Sequence, residues 1–277
     1  MAQVKIPENV ELREDVVYGR GGERELKLDL YLPKDDAAER PAVVFIHGGG
    51  WKGGNRGQFR PQSLHLASNG YVCACIEYRL SGEAQFPAAI EDAKCAVRFM
   101  RAKAEELRVD PDRIAAAGGS AGGHLAALVG TSDAAAELEG TGGHAEFSSQ
   151  VNLVIPFNGV FDFAAMAKAK RAVPQIGAFI GGTYEEMPHA YANASPITYV
   201  DKSDPPFLLL HGSADQTVPF EQSVRMQKRL QEVDVEAELF EADGAGHGFF
   251  NRPPWYEPTL KRMEEFLEKR FRPGGSP

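Results

Sequence analysis

The amino-acid sequence predicts an α/β fold in which buried strands alternate with amphipathic helices. Short, continuous apolar runs, such as Ala-Val-Val-Phe-Ile at residues 42–46, are typical of strands buried on both faces of a sheet. Between such runs, stretches such as 87–107 repeat apolar residues at helical spacing after a proline that suits a first helical turn. The predicted buried strands are 42–46, 71–77, 114–117, 151–157, 206–212 and 237–242, and the predicted helices are 59–69, 87–107, 220–233 and 255–271.

Length and charge limit what the chain can be. Its 277 residues, of which 43% are hydrophobic, suffice for a full core, and we expect a single domain over residues 1–277. The formal net charge of −9 disfavours nucleic acid and anionic membranes as partners, because these need clustered lysine and arginine. The sequence has no run of about 18 apolar residues, which is the length needed to span a bilayer. The oligomeric state and the native compartment stay open, since residues 1–10 show no signal peptide but a mature secreted chain would look the same.

Three cysteines are too few for a disulfide framework. Cys73 and Cys75 fall on one face of a predicted strand, and Cys95 falls on a predicted helix. We expect all three to be small core side chains.

The first forty residues predict a hairpin of two strands, 10–18 and 25–32, joined by a glycine-rich turn. In the second strand four leucines, at every second position from 26 to 32, fall on one face, while Lys27, Asp29 and Tyr31 fall on the other. Such alternation is typical of an antiparallel strand covered on one side only.

A nucleophile elbow is predicted at residues 118–122, which read Gly-Gly-Ser-Ala-Gly. The apolar run 114–117 precedes this G-x-S-x-G pattern and an alanine-rich helical stretch follows it, which is the strand, turn and helix that an elbow requires. Glycine is needed beside the serine because a Cβ there would collide with the neighbouring strand or helix. Ser120 is therefore the predicted nucleophile. His124, one turn further on, is predicted to be structural, since a catalytic base must approach from a separate loop.

A second element is the glycine run that follows strand 42–46 and reads His-Gly-Gly-Gly-Trp at residues 47–51. Acyl transfer needs preorganised N–H donors for a developing oxyanion, and consecutive glycines can aim their amides inward. We expect Gly49, Gly50 and the amide of Ala121 to form this oxyanion hole. A phosphate-binding loop is disfavoured, because no Lys-Ser/Thr follows and G-x-G-x-x-G is not matched.

Two neighbours of these glycines carry separate expectations. His47 is predicted to hold the loop by hydrogen bonds rather than to act in chemistry. Trp51 is predicted either to contact the substrate beside the reacting carbonyl or to anchor the glycine loop in the core, and the sequence does not decide between the two.

The third element supplies an acid and a base in the chain order serine, aspartate, histidine. Asp215 follows the strand 206–212 and His247 follows the strand 237–242, so both are expected at the same sheet edge as the elbow. His247 would take the serine proton, and Asp215 would fix its tautomer. Asp162 and Asp243 are the rival acids.

Residues 160–204 have no clear period, and we expect a helical, lid-like insertion over the active face rather than a second domain.

These motifs resemble the α/β-hydrolase superfamily, and within it the serine esterases with an HGGGW oxyanion loop. The matching stretches are HGGGWKGG (47–54), EYRLSGEAQFPAAIEDAK (77–94), DPDRIAAAGGSAGGHLAAL (110–128), HGSADQTVP (211–219) and GAGHGFF (244–250). The chain looks most like bacterial carboxylesterases that include acetyl-xylan and feruloyl esterases, with the hormone-sensitive-lipase group as neighbour. The resemblance implies an eight-stranded, mostly parallel sheet, no cofactor and no metal.

The function implied is hydrolysis of short-chain or aromatic esters, of the acetyl or feruloyl type, through an acyl-serine. The expected partner is a small-molecule ester, and an ester decorating a plant polysaccharide is one candidate. Two alternatives remain: an amide hydrolase similar to the arylformamidases, which share the HGG-x-W pattern, and a ligand-binding scaffold without catalysis. The second is disfavoured because such scaffolds lose a triad member, whereas this chain has all three.

Overall fold

An eight-stranded sheet forms the centre of the computed structural model, which describes residues 5–37, 39–171 and 173–271. Residues 1–4 and 272–277, part of the single domain expected from the sequence, lie outside the described residues. The strands are β1 (Val10–Gly21), β2 (Arg24–Pro33), β3 (Arg40–Ile46), β4 (Val72–Ile76), β5 (Val109–Gly119), β6 (Leu153–Phe157), β7 (Phe207–Gly212) and β8 (Ala237–Ala242).

The strand order is β1-β2-β4-β3-β5-β6-β7-β8. The first two pairings, β1 with β2 and β2 with β4, are antiparallel, and all later pairings are parallel. The parallel strands β4, β6 and β7 are buried along their whole length, as their continuous apolar runs predict. The carboxyl ends of β3, β5, β6, β7 and β8 therefore meet at one edge of the sheet. The predicted eight-stranded, mostly parallel fold is confirmed.

Helices cover both faces of this sheet. They are α1 (Arg60–Ser68), α2 (Ala88–Ala102), α3 (Ala104–Leu107), α4 (Ala121–Thr131), α5 (Phe163–Lys168), α6 (Val173–Ile180), α7 (Pro188–Asn193), α8 (Glu221–Gln231) and α9 (Tyr256–Phe271), with 3-10 turns at Arg56–Phe59, Ala136–Leu138, Pro196–Thr198 and Phe249–Asn251. The apolar side chains of α2, α4 and α8 belong to the core on one face, and those of α1 and α9 to the core on the other. The helix predicted over 87–107 is divided between α2 and α3 at Lys103.

The prediction for the second strand is wrong in one respect. Its leucine face is buried as expected, but Asp29 and Tyr31 on the other face are also buried. Helix α1 packs over this face, and an ion pair of 3.0 Å with Arg56 accompanies the Asp29 carboxylate. Residues distant in sequence thus cover a face that alternation alone predicts to be exposed.

The cysteine prediction is confirmed, since Cys73, Cys75 and Cys95 are all free and buried. Between β6 and β7 the chain forms α5, α6 and α7, whose apolar residues join the core of the α2 face. A lid function for this segment stays a prediction. In the described ranges no helix is both long enough and apolar enough to cross a bilayer.

The environment of Asp204, which precedes β7, predicts a pH-dependent stability. Its Oδ2 accepts the Asp201 N–H at 3.1 Å, but its Oδ1 is buried without a partner. Burial raises the pKa of this carboxyl to about 7. Because the folded state binds this proton more tightly than the unfolded chain, the contribution of Asp204 to stability is fully present below about pH 4 and is lost as the pH rises through about 7.

We expect Asp204→Asn to raise Tm by a few degrees at pH 8, with a gain that shrinks towards pH 4. Thermal unfolding of both proteins across this range is the measurement, and Asp112→Asn, at an exposed position, is the charge-matched control. A Tm difference that is the same at pH 4 and pH 8 would show that ionisation of Asp204 is not the cause.

Candidate active site

Ser120 occupies a strained turn between β5 and α4. Its φ of 55° and ψ of −116° lie outside the regions that a serine ordinarily adopts, and its N–H donates to the Phe157 carbonyl at 2.8 Å. A Cβ at Gly118 would come within 2.3 Å of the Gly122 carbonyl, and a Cβ at Gly122 within 2.0 Å of the Ile46 carbonyl. Glycine is therefore required on both sides, as the sequence predicts.

The structure brings Ser120, His247 and Asp215 into one hydrogen-bonded series. The Ser120 Oγ lies 2.9 Å from His247 Nε2, and His247 Nδ1 lies 2.7 Å from Asp215 Oδ2. Since the carboxylate can only accept, Nδ1 carries the hydrogen and Nε2 presents a lone pair to the serine hydroxyl. The two partners reach Ser120 from the loops after β7 and β8, where the predicted strands place them.

The Asp215 carboxylate is held in its charged form. Its side chain is fully buried, and its Oδ1 accepts the N–H groups of Thr217 and Val218 at 2.8 and 3.0 Å. Burial would raise its pKa, but contacts with His211 and His247 outweigh burial and hold the pKa well below the ordinary range. A permanently charged carboxylate here stabilises a positive charge on His247.

The two rival acids lie elsewhere. Asp162 caps α5 by accepting the Ala165 N–H at 2.8 Å, and its other oxygen pairs with Arg225. Asp243 accepts a weak hydrogen bond of 3.3 Å from Ser213. Among the described residues, no hydrogen bond or ion pair joins either carboxylate to His247, whose carboxylate partner is Asp215.

The glycine loop presents unused amide donors beside Ser120. Gly49 and Gly50 have φ angles of +125° and +61°, which glycine adopts without strain. Among the hydrogen bonds of the described residues, none uses the N–H groups of Gly49, Gly50 or Ala121. The loop glycines and Ser120 line one cavity, and Ala121 is the first residue of α4, whose N-terminus favours negative charge.

His47 holds this loop in place. Its Nδ1–H donates to the Gly48 carbonyl at 2.8 Å, and its ring stacks on Tyr78 at 4.5 Å. The neighbouring Gly48 N–H donates to Gln58 Oε1 at 2.6 Å. Burial lowers the pKa of His47, so the ring stays neutral. These contacts agree with the predicted structural role.

Trp51 lies in the core beneath the loop. Its indole is 2% exposed, stacks on Phe179 at 4.7 Å and donates from Nε1 to His124 Nδ1 at 3.1 Å. The Nε2–H of His124 in turn donates to the Ala194 carbonyl at 2.7 Å. This geometry favours the core-anchor alternative for Trp51, although the residue also contributes to the cavity wall, and a contact with substrate stays a prediction.

His124 is neutral in this arrangement. It is fully buried, and burial lowers its pKa to about 3. One ring nitrogen accepts and the other donates, so protonation would break the bond from Trp51. The predicted structural role fits these contacts.

Asn158 is a site residue that the sequence reasoning missed. It directly follows β6, is fully buried, and places its Nδ2 3.1 and 3.3 Å from the two ring nitrogens of His247. A point equally close to both nitrogens lies above the imidazole face, so the amide restricts movement of the ring. Its place at the site is predictable from the sequence, because Asn158 follows a buried strand that ends at the same sheet edge as the strands before Asp215 and His247.

Ser120 and His247 line a cavity of about 600 Å³. The insertion between β6 and β7 supplies part of its wall through Val160, Lys170, Arg171 and Gln175. The remaining wall comes from Gly48, Gly49, Gly50, Trp51, Lys52, Gln58, Ser120, Asn158, Gln216, Thr217, Val218, His247, Gly248, Phe250 and Asn251.

The fold and this geometry define the class of protein. A serine on a sharp strand-to-helix turn at the carboxyl edge of such a sheet is typical of α/β-hydrolases. The chain belongs to the BD-FAE family, whose model matches residues 28–230. The resemblance to the esterases of the α/β-hydrolase superfamily is thereby confirmed.

Curated relatives and solved structures carry esterase names. The chain is 34% identical over 234 residues to the probable carboxylic ester hydrolase LipM of Mycobacterium tuberculosis, a match that covers 82% of this chain and 53% of LipM. The chain spans about half the length of the curated mycobacterial relatives LipM, LipC and LipQ.

Two solved structures illustrate the similarity. The native esterase Est2 of the planctomycete Thermogutta terrifontis has a TM-score of 0.81 at 33% identity, over 97% of this chain and 96% of its own. The bifunctional GH43-CE protein of Bacteroides eggerthii has a TM-score of 0.85 at 35% identity, over 94% of this chain and 38% of its own.

Proposed function

We propose that this protein is a serine carboxylesterase that acts through an acyl-serine intermediate. The observation that carries the proposal is the hydrogen-bonded series from Ser120 through His247 to Asp215, which stands in a cavity beside three unused amides. The esterase names of its relatives support the same reaction class.

In the proposed acylation, Ser120 Oγ attacks the ester carbonyl and gives its proton to His247 Nε2. Asp215 holds the Nδ1 hydrogen and stabilises the imidazolium that forms. The carbonyl oxygen becomes negative and accepts hydrogen bonds from the N–H groups of Gly49, Gly50 and Ala121. When the tetrahedral intermediate collapses, the alcohol leaves with the proton from His247, and the acyl group remains on Ser120.

In the proposed deacylation, water enters where the alcohol has left. His247 takes a proton from this water, and the resulting hydroxide attacks the acyl carbonyl, again with negative charge at the three amides. Collapse breaks the bond to Ser120 Oγ, which regains its proton from His247. The products are the free acid and the resting enzyme.

Short acyl groups fit the proposal best. The apolar side chains of the cavity wall are Trp51, Val160, Val218 and Phe250, and each is only 2% exposed. A long alkyl chain gains free energy only where it can cover exposed apolar side chains, and these four offer little such surface. Structures of the Thermogutta esterase with propionate and with butyrate bound support short acids as ligands of such a site.

The proposed substrates include esters of aromatic acids and esters on polysaccharides. A planar acyl group of the feruloyl type would have to fit the cavity without stacking on Phe250, whose ring is 2% exposed and already stacks on Phe59 at 5.4 Å. The carbohydrate-esterase name of one structural relative, which comes from gut microbiota, supports an ester on a sugar chain. Acetylated xylan, methyl ferulate, p-nitrophenyl acetate and an aryl formamide, assayed in parallel, test these classes against the arylformamidase alternative.

A covalent probe tests the reaction independently of the substrate. The Thermogutta esterase has been solved after phosphorylation by paraoxon. We expect paraoxon to abolish ester hydrolysis by this protein and to leave one diethylphosphoryl group, which peptide mass spectrometry should locate on Ser120. An adduct on another residue, or full activity after treatment, would contradict the acyl-serine mechanism.

The acyl-chain preference is a separate expectation. In a series of p-nitrophenyl esters we expect kcat/KM to be highest at about two to four carbons and to fall well before eight, since the nearly buried apolar side chains of the wall offer little gain for further CH₂ groups and overpacking opposes them. In Trp51→Phe, which keeps a ring against Phe179 but loses the bond to His124, the same optimum is expected if Trp51 is a core anchor. An optimum at octanoate or longer in the unmodified protein would contradict the short-chain proposal.

A further inference from the structure

The wall of the active-site cavity has a charge opposite to that of the chain. Lys52, Lys170 and Arg171 line it, and no aspartate or glutamate is among its described lining residues. The whole chain has 39 acidic and 30 basic residues, for a net charge of −9. A cavity that carries three positive charges in an acidic protein attracts anions from solution and holds them near its mouth.

The three cations are free to meet a ligand. All are exposed, and within the described ranges none forms an ion pair with a carboxylate. Arginines elsewhere, such as Arg24 and Arg79, commonly pair with acidic side chains. Arg171 is nevertheless held in place, because its guanidinium donates to the Gln216 carbonyl at 3.0 Å and keeps its other N–H groups for another partner.

A helix terminus does not account for this arrangement. Lys170 and Arg171 follow α5, and cations are favourable at a helix C-terminus. Lys52, however, belongs to the glycine loop after β3 and reaches the same cavity from a distant part of the chain. Lys170 also has a φ of 54° in a position where glycine is the usual residue, so this turn keeps a lysine despite the backbone strain.

The position of Arg171 indicates which part of a substrate the charge meets. Its partner Gln216 is adjacent to Asp215, so Arg171 lies on the His247 side of the cavity. The alcohol of an ester must leave on that side, because His247 protonates its oxygen.

We infer that the substrate is an ester whose alcohol part carries an anionic group, such as a carboxylate, which Arg171 binds while Lys52 and Lys170 add to the positive charge of the cavity. The inference rests on the proposed ester hydrolysis and adds to it the charge of the substrate and the side of the scissile bond on which the charge lies. The cations attract the substrate over a distance set by ionic strength and orient its alcohol part towards His247.

The test compares two acetyl esters of similar shape, 4-acetoxybenzoate, which is anionic, and 4-acetoxybenzamide, which is neutral. Their ratio of kcat/KM is measured for the unmodified protein and for the triple variant Lys52→Gln, Lys170→Gln, Arg171→Gln, so that intrinsic differences in ester reactivity cancel. We expect the ratio of anionic to neutral to fall about tenfold in the triple variant at low salt. In the unmodified protein it should fall as salt rises from about 0.01 M, where screening is weak, to about 0.5 M.

Lys228→Gln is the matched control, because it removes a positive charge from an exposed position on α8 outside the cavity. It should leave the ratio unchanged. Circular dichroism and Tm show whether the triple variant folds, and if it does not, Lys52→Gln and Lys170→Gln should each lower the ratio about twofold.

Two results would overturn the inference while leaving ester hydrolysis intact. One is a ratio in a folded triple variant that stays close to that of the unmodified protein. The other is a larger effect on an ester with its charge in the acyl part, measured as mono-(4-nitrophenyl) glutarate against 4-nitrophenyl butyrate. If 4-acetoxybenzamide is hydrolysed no faster by the unmodified protein than by Ser120→Ala, the proposed function itself fails.

Discussion

Replacing Ser120 with alanine should lower kcat/KM for p-nitrophenyl acetate by at least about a thousandfold, because the attacking oxygen is removed while its surroundings remain. The Ser120 Oγ bonds to His247 Nε2 at 2.9 Å, and the strained backbone of the turn is fixed by the flanking glycines rather than by the hydroxyl. The variant should therefore fold normally, with nearly unchanged Tm, and should bind substrate without turning it over.

Ser148→Ala is a suitable control, since Ser148 is exposed and lies outside the cavity wall. Stopped and continuous assays of both variants, with circular dichroism to verify folding, make the measurement. Retention of more than about a tenth of the activity by a folded Ser120→Ala would reject Ser120 as the nucleophile.

Much of this fold is predictable because its strands and turns have strong local signals. A run such as residues 42–46 has no polar face, so it must be buried on both sides of a sheet, and the structure buries it there. The residues after β5, β7 and β8 could then be assigned to one edge, because parallel strands end together. Ser120, His247 and Asp215 do meet at that edge.

The features that the sequence predicted wrongly or left undecided depend on contacts between residues far apart in sequence. The covering of Tyr31 depends on helix α1, and the burial of Trp51 depends on His124 and Phe179. Neither partner is visible in the local pattern around the residue. Asn158 directly follows the buried strand β6, so its place at this edge is predictable, but a neutral amide is not a candidate acid or base.

The second large effect is expected for Asp215→Asn, with Asp162→Asn as its matched control. In the folded protein Asp215 Oδ1 accepts the N–H groups of Thr217 and Val218, while Oδ2 faces His247 Nδ1 at 2.7 Å. Asparagine can keep the first oxygen and hence the loop, but its NH₂ group then replaces the oxygen that faces His247.

A hydrogen-bond donor in that position favours the opposite tautomer of His247. Nδ1 must then accept, so the hydrogen moves to Nε2, and His247 can no longer take the proton of Ser120. The charge that stabilises the imidazolium is also lost, and together these losses should lower kcat by about four orders of magnitude. Asp162→Asn keeps an oxygen for the Ala165 N–H, loses only the pairing with Arg225, and should retain activity within about twofold. Steady-state kinetics of the two folded variants decide the matter, because a damaging Asp162→Asn beside a mild Asp215→Asn would mean that the acid is Asp162.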